Sequence, residues 1–417
     1  MDMRADLLPP APRDDPWEVL ICRVHTDERA WEQLRPCWDS LLACSDGATP
    51  WQSWHFLSGW WRHLAGDRQL RIVVVERRSR PCLILPLQLS VDRIAGMTLR
   101  CLEPIAMPDD INRPRLALGP FDPAAYRAAL NALWRRRKEW NLLRIDERPP
   151  TGNELRLLDE FAEERDIEVH RSPLHPCPFL SLNRSWPEYL SGRSARLRKN
   201  LRNSRHRLES IGKMKVEVFD TPDRIETGFD VLMGIHEHSW KYSEGLGIGR
   251  SEACRRFFRS LLVDLAAESR ARLLVLYGGD IPLAGTFALM DDGTYYSAAI
   301  AHDSRYAQCS PGTLLEALEL EMLMNESHYA SYDFLGAALN NKLRWTSQAR
   351  PTVRVWLFSP SLRTRLVELL YYTVKPVVQR FRSRLAGQLA KLPGKRGWPP
   401  SEVPASERPS VETPERH

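Results

Sequence analysis

A chain of 417 residues exceeds what one hydrophobic core ordinarily serves, so two domains are expected. Its apolar content of 43% and charged content of 27% exclude a disordered or fibrous chain, and a net charge of +6 admits anionic partners without requiring nucleic acid. Eight cysteines without a single C-x-x-C pair read as reduced thiols, not as a disulfide framework or zinc site.

In chain order, the opening "MDMRADLLPPAPRDD" lacks the apolar stretch of a signal peptide, and no run of about 18 apolar residues follows anywhere. A cytoplasmic protein is expected. Residues 1–49 lead into a first domain over 50–175. There, "FLSGWWRHLAG" has helical apolar spacing, and "RIVVVERRSRPCLILPLQL" reads as a hairpin. "DPAAYRAALNALWRRRKEW" then reads as a helix and "NLLRID" as a strand. Three prolines in "HRSPLHPCPFLSL", residues 170 to 182, break both periodicities and mark a linker.

A second domain is expected over 176–359. It opens on "RSARLRKNLRNSRHRLESIGKMK", where nine Lys or Arg between Arg193 and Lys215 meet one acid, Glu209. Such a helix face is either merely solvated or attracts an anion. Residues 56 to 90 then recur, ungapped, over 257 to 291 at a shift of 201: Phe56 meets Phe257, Arg71 meets Arg272, Pro81 meets Pro282. "GTLLEALELEMLMNES" and "YASYDFL" repeat the helix and strand that follow the hairpin. Tandem α/β domains of one design, each a mixed sheet flanked by helices, are the economical reading. Residues 360–392 read as a basic helical extension that either packs onto the domains or lies on an anionic membrane surface, and 393–417 as a disordered tail.

Two stretches concentrate chemistry. In "GIHEHSWKYSEGLGIG", His236, Glu237, Trp240 and Tyr242 stand beside a glycine-rich loop; the H-E-H spacing is not that of a zinc protease, and no metal is expected. In "SPGTLLEALELEMLMNES", Leu314, Leu318 and Met322 stand four apart while Glu316, Glu319 and Glu326 can face outward. Ser310 and Pro311 suit plain helix capping. Gly312 is less expected in a first turn and would let an anion approach the free amides of the helix start. Beyond the helix, Asp333 is either an acceptor-orienting base or a structural partner, and Lys342 and Arg344 are either anion ligands or a solvated pair.

The hairpin, the "YY" strand, "SPGTLL" and "YDFLG…K" together resemble the GNAT acetyltransferase superfamily, in particular its CelD/BcsL-type branch, associated with cellulose and exopolysaccharide synthesis. That branch is related to Fem-type transferases with two GNAT-like domains. The likeness is strongest over about residues 193 to 347. Ser310 stands at the first glycine of the superfamily's phosphate turn, Gly312 at its second, and Ala307 where Gln or Arg is usual.

The resemblance implies an acyl-CoA, such as acetyl-CoA, on Ser310, Gly312, Thr313 and Leu314, with no permanently bound cofactor. Asp333, Lys342 and Glu237 are the expected catalytic residues; His236, Trp240, Tyr242, Gly336 and Arg344 are expected to hold the acceptor, an amine of a sugar or cell-envelope precursor. It leaves open a Fem-like transferase using aminoacyl-tRNA, and a silent scaffold beside a polysaccharide synthase at the inner membrane face.

Overall fold

The computed structural model describes residues 19–106 and 115–374. Residues 1–18 of the expected amino-terminal segment, most of the expected basic extension and all of the expected disordered tail lie outside them.

The first repeat folds as the helix Trp54–Leu64 followed by β2 (Gln69–Arg77) and β3 (Arg80–Ile94). Between these strands Arg78 and Ser79 both take positive φ, the backbone that a two-residue hairpin turn demands. The second repeat gives the helix Glu252–Ala267, β9 (Ala271–Gly278) and β10 (Ile281–Asp291). The remaining strands are β1 (Leu20–His25), β4 (Met97–Pro104), β5 (Leu142–Arg148), β6 (Val169–Pro173), β7 (Cys177–Ser181), β8 (Met214–Phe219), β11 (Thr294–His302), β12 (Ser331–Asp333), β13 (Ala349–Arg350) and β14 (Val353–Phe358).

They form two seven-stranded sheets, ordered β1-β2-β3-β4-β5-β14-β6 and β8-β9-β10-β11-β12-β7-β13. Position by position the sheets correspond. Each has one parallel pair, β4 with β5 and β11 with β12; the other neighbours are antiparallel. Two GNAT-like α/β domains in tandem describe this architecture.

The correspondence extends to an exchange of strands. After β6, only residues 174–176 separate the chain from β7, which joins the second sheet beside β12. After β13, the chain returns as β14 and inserts between β5 and β6 of the first sheet. Residues 353–358, read as part of the second domain, thus complete the first sheet. The proline-broken linker holds β6 and β7, one strand for each sheet.

Residues up to Leu366 form one unit, within which the two halves share a core. Phe56 and Phe257, which the repeat makes equivalent, meet ring to ring at 5.5 Å. A residue touching its own counterpart marks a two-fold-like contact. Around it pack Trp31, Trp38 and Trp54 from the amino-terminal side and Phe229, Phe258 and Leu262 from the second half, all buried. The second unit begins at Val367, and its described residues continue the helical run through Val374. No helix among the described residues is long and apolar enough to cross a membrane.

Candidate acyl-donor site

The helix Pro311–Glu326 crosses the second domain between β10 on one side and the helices Trp186–Ser191 and Ala195–Glu209 on the other. Covered on both sides, it buries more than one face, with Leu314, Leu315, Ala317, Leu320, Leu323 and Met324 all in the core. The sequence expectation that Glu316 and Glu319 face outward therefore fails. Glu319 is fully buried and accepts hydrogen bonds from the Tyr295 and Tyr332 hydroxyls, both at 2.7 Å. Glu316, a turn earlier, accepts one from the Trp345 indole N–H and lines a cleft at the helix start.

Burial pushes the Glu319 carboxyl up to about 7 and that of Glu316 up to about 8, against the tyrosine and indole hydrogen bonds that favour the charged forms. The ordinary glutamate value is 4.5, so between it and about 8 the folded protein holds protons that the unfolded chain has lost. Stability is greatest at the acid end of that window and falls as pH rises through it. Glu319→Gln, which stays neutral, is expected to flatten the fall in melting temperature up to about pH 7; thermal melts across pH read this directly.

The cleft has a volume of about 440 Å³, in the range of small-ligand sites. Its floor is the start of the helix. Ser310 sits at the N-cap with φ of 51° and makes no side-chain cap, so the first-turn amides of Gly312 and Thr313 lack that partner. The matching helix of the first domain, Pro123–Arg135, differs at this point: Asp122 caps it, accepting from the Ala124 and Ala125 amides at 2.9 and 3.2 Å. One helix mouth is closed by the protein's own carboxylate and the other has no side-chain cap.

One wall comes from β11. The short β12 pairs with it only over Thr294–Tyr296, and beyond that stretch Ile300, Ala301 and His302 line the cleft. A Cβ on Gly312 would stand 3.5 Å from His302 Nδ1, which brings the imidazole to the helix mouth. Lys241 also lines the cleft, its Nζ donating to the Ile300 carbonyl of that wall at 2.8 Å. Burial, then the charge of Lys342, holds Lys241 below the ordinary lysine value; burial, then Lys241, holds His302 below the ordinary histidine value.

The sequence-predicted residues divide between this cleft and elsewhere. Ser310, Gly312, Thr313, Trp240 and Arg344 line it, and Arg344 Nη1 donates to Thr313 Oγ1 at 3.0 Å. Leu314 lies in the core, and its amide is taken by the Ser310 carbonyl at 3.2 Å. Asp333 is buried, accepting from the Leu335 amide and from Arg350 Nη1, each at 2.8 Å. Lys342 Nζ donates to the Leu335 carbonyl, beside Gly336 in a positive-φ turn.

Glu237 is a half-exposed ion-pair partner of Arg255. His236 is buried under the glycine-rich loop, where a Cβ on Gly247 or Gly249 would come within 2.6 or 2.8 Å of its ring nitrogens. Tyr242, half exposed, sets its ring edge-on to that imidazole. Lys241, His302 and Glu316 are the cleft residues that sequence reasoning did not place. Lys241 stood within the quoted stretch of chemistry, and His302 had no signal beyond ending an apolar strand.

Residues 195–343 match the acetyltransferase (GNAT) domain family. The match lies within the second domain. Among solved structures, this chain is similar to the crystal structure of FemX at 13% identity, over 81% of this chain and 98% of that one, with a TM-score of 0.51. A tandem GNAT protein from the clavulanic acid biosynthesis pathway, solved without acetyl-CoA, is similar at 14% identity over 82% of this chain and 99% of that one, with a TM-score of 0.44. These likenesses concern the fold. No curated protein matches the sequence.

Proposed function

We propose that the protein transfers an acyl group from acyl-CoA to the amine of a sugar or cell-envelope precursor, in the service of exopolysaccharide synthesis. The observation that carries this is the helix start at Ser310–Thr313, without a side-chain cap and open to a cleft beside the stretch of β11 that lies beyond its pairing with β12. A pyrophosphate rests on the Gly312 and Thr313 amides, helped by Arg344, and the thioester arm runs along the unpaired edge of β11 toward Ile300. The acceptor enters past Trp240 and Tyr242, 53% and 46% exposed, whose rings offer flat faces to a sugar.

The amine nitrogen attacks the thioester carbonyl, the carbon–sulfur bond breaks, and the proton shed by nitrogen passes to a base on its way to the thiolate. His302 is that base: the imidazole lines the cleft and is held neutral near pH 7. Holding the two substrates in contact supplies much of the remaining rate.

An acyl-CoA panel tests the reading. Acyl-CoA is expected to raise the melting temperature of wild type and of His302→Gln alike, while His302→Gln loses on the order of 100-fold in kcat, together with the acid limb of its pH profile. No shift with any acyl-CoA would remove the donor from the scheme.

A second reading is favoured by the basic helix Ala195–Glu209. It lies against the donor turn, with Ser204 Oγ donating to the Cys309 carbonyl and Arg207 Nη1 to that of Gln308 at 2.7 Å. Its exposed Arg202, Arg205 and Arg207 would suit the phosphates of an aminoacyl-tRNA donor. Saturable, salt-sensitive tRNA binding without an acyl-CoA shift would decide for it.

A further inference from the structure

The segments that carry the chain from one sheet to the other meet at a cluster the acyl-donor cleft does not use. Glu147 ends β5 of the first sheet, His175 lies in the three-residue passage between β6 and β7, and Cys177 opens β7 of the second. The returning passage touches the same place, with Thr352 Oγ1 donating to the His175 carbonyl at 2.6 Å. Cys177 Sγ is 3.6 Å from His175 Nδ1, and Glu147 Oε1 is 3.4 Å from Nε2, the other nitrogen of the same ring, so Nδ1 is the ligand atom and the carboxylate must swing toward it. One donor atom from each residue lies within 4.8 Å of the other two.

We propose that Glu147, His175 and Cys177 bind a single zinc ion that ties the crossover together. Thiolate, imidazole and carboxylate are the three donor types that zinc accepts, and their mixture suits a borderline-soft cation better than magnesium or calcium. Zinc–sulfur and zinc–nitrogen bonds of about 2.3 and 2.0–2.1 Å at a tetrahedral angle hold S and N roughly 3.6 Å apart. The Cys177–His175 separation matches.

Cys177 is 1% exposed and the Glu147 side chain 7%, while His175 at 26% leaves a side from which an ion and a fourth, water ligand can enter. The Glu147 backbone takes a φ of 53°, a conformation that costs a non-glycine residue free energy and turns its carboxylate toward the cluster. Sequence spacing could not reveal the site, because its ligands come from β5 and from beyond β6.

The test uses full-length protein without a metal-affinity tag, equilibrated with zinc and freed of loosely held metal. About one zinc per chain is expected, and cobalt in its place should give a thiolate-to-metal charge-transfer band. Cys177→Ser and His175→Ala should each lose more affinity than the roughly 10–100-fold that removal of an outer partner costs. A chelator should lower the melting temperature of wild type and leave that of Cys177→Ser unmoved. Wild type that retains no stoichiometric zinc, or Cys177→Ser that retains as much as wild type, overturns the proposal. If the variants do not fold, wild type decides alone, and cobalt binding without a thiolate band overturns it equally.

Discussion

Gly312→Asp is expected to abolish tight acyl-CoA binding while leaving the protein folded. The added Cβ meets its nearest neighbour, His302 Nδ1, at 3.5 Å, an ordinary contact, so the backbone need not shift. The new carboxylate stands at the helix mouth, among the amides assigned to the pyrophosphate. It does there what Asp122 does in the first domain: it occupies the donors and repels an incoming anion. At least about 100-fold weaker binding is expected, a loss of about 2.7 kcal/mol. Calorimetry with acetyl-CoA, beside a melting curve within a few degrees of wild type, checks it. An unchanged dissociation constant would mean that the donor lies elsewhere.

The second large effect concerns a residue far from the cleft. Leu357 in β14 is 2% exposed in the core of the first sheet, paired with Leu143 on one side and Val169 on the other. Leu357→Ala should cost about 2–4 kcal/mol, the usual range for a buried leucine. Because β14 and β7 are exchanged, that loss should not stay in the first half. Hydrogen exchange should show amides of β9–β11 losing protection together with those of β2–β5. If the second sheet keeps full protection, the two halves unfold independently and the exchange does not couple them.

Much of this architecture is legible in the residues. The hairpins, the helix after each and the strand after that announce themselves through local periodicity and turn chemistry. The repeat aligns β3 with β10 at the very residue where each begins, Arg80 and Ile281. The exchanged strands are not legible, because nothing local in "CPFLS" or "VRVWLF" says which sheet will receive them. Arg354 meets Asp146 across 208 residues of chain.

The helix start was readable from "SPGT", since capping preferences and a misplaced glycine are local facts. The cleft walls were not. Lys241 reaches Ile300 through a tertiary contact, and Glu316 and Glu319 look solvent-facing until a second layer covers their side of the helix. Asp333 looked like chemistry because a carboxylate in an apolar strand is rare. Its bonds to Leu335 and Arg350 account for that placement structurally.

The reciprocal exchange also bears on how the chain can be made. Synthesis proceeds from the amino terminus, so β5 and β6 leave the ribosome with a vacant lane between them that stays empty until residues 353–358 emerge. β7 likewise waits for β12, some 150 residues downstream. Neither sheet can close until residues 349–358 have been made, and until then the nascent amino-terminal half carries exposed strand edges of the kind that aggregate or recruit chaperones. Completion of the first sheet is therefore a late event, supplied by the last strand among the described residues.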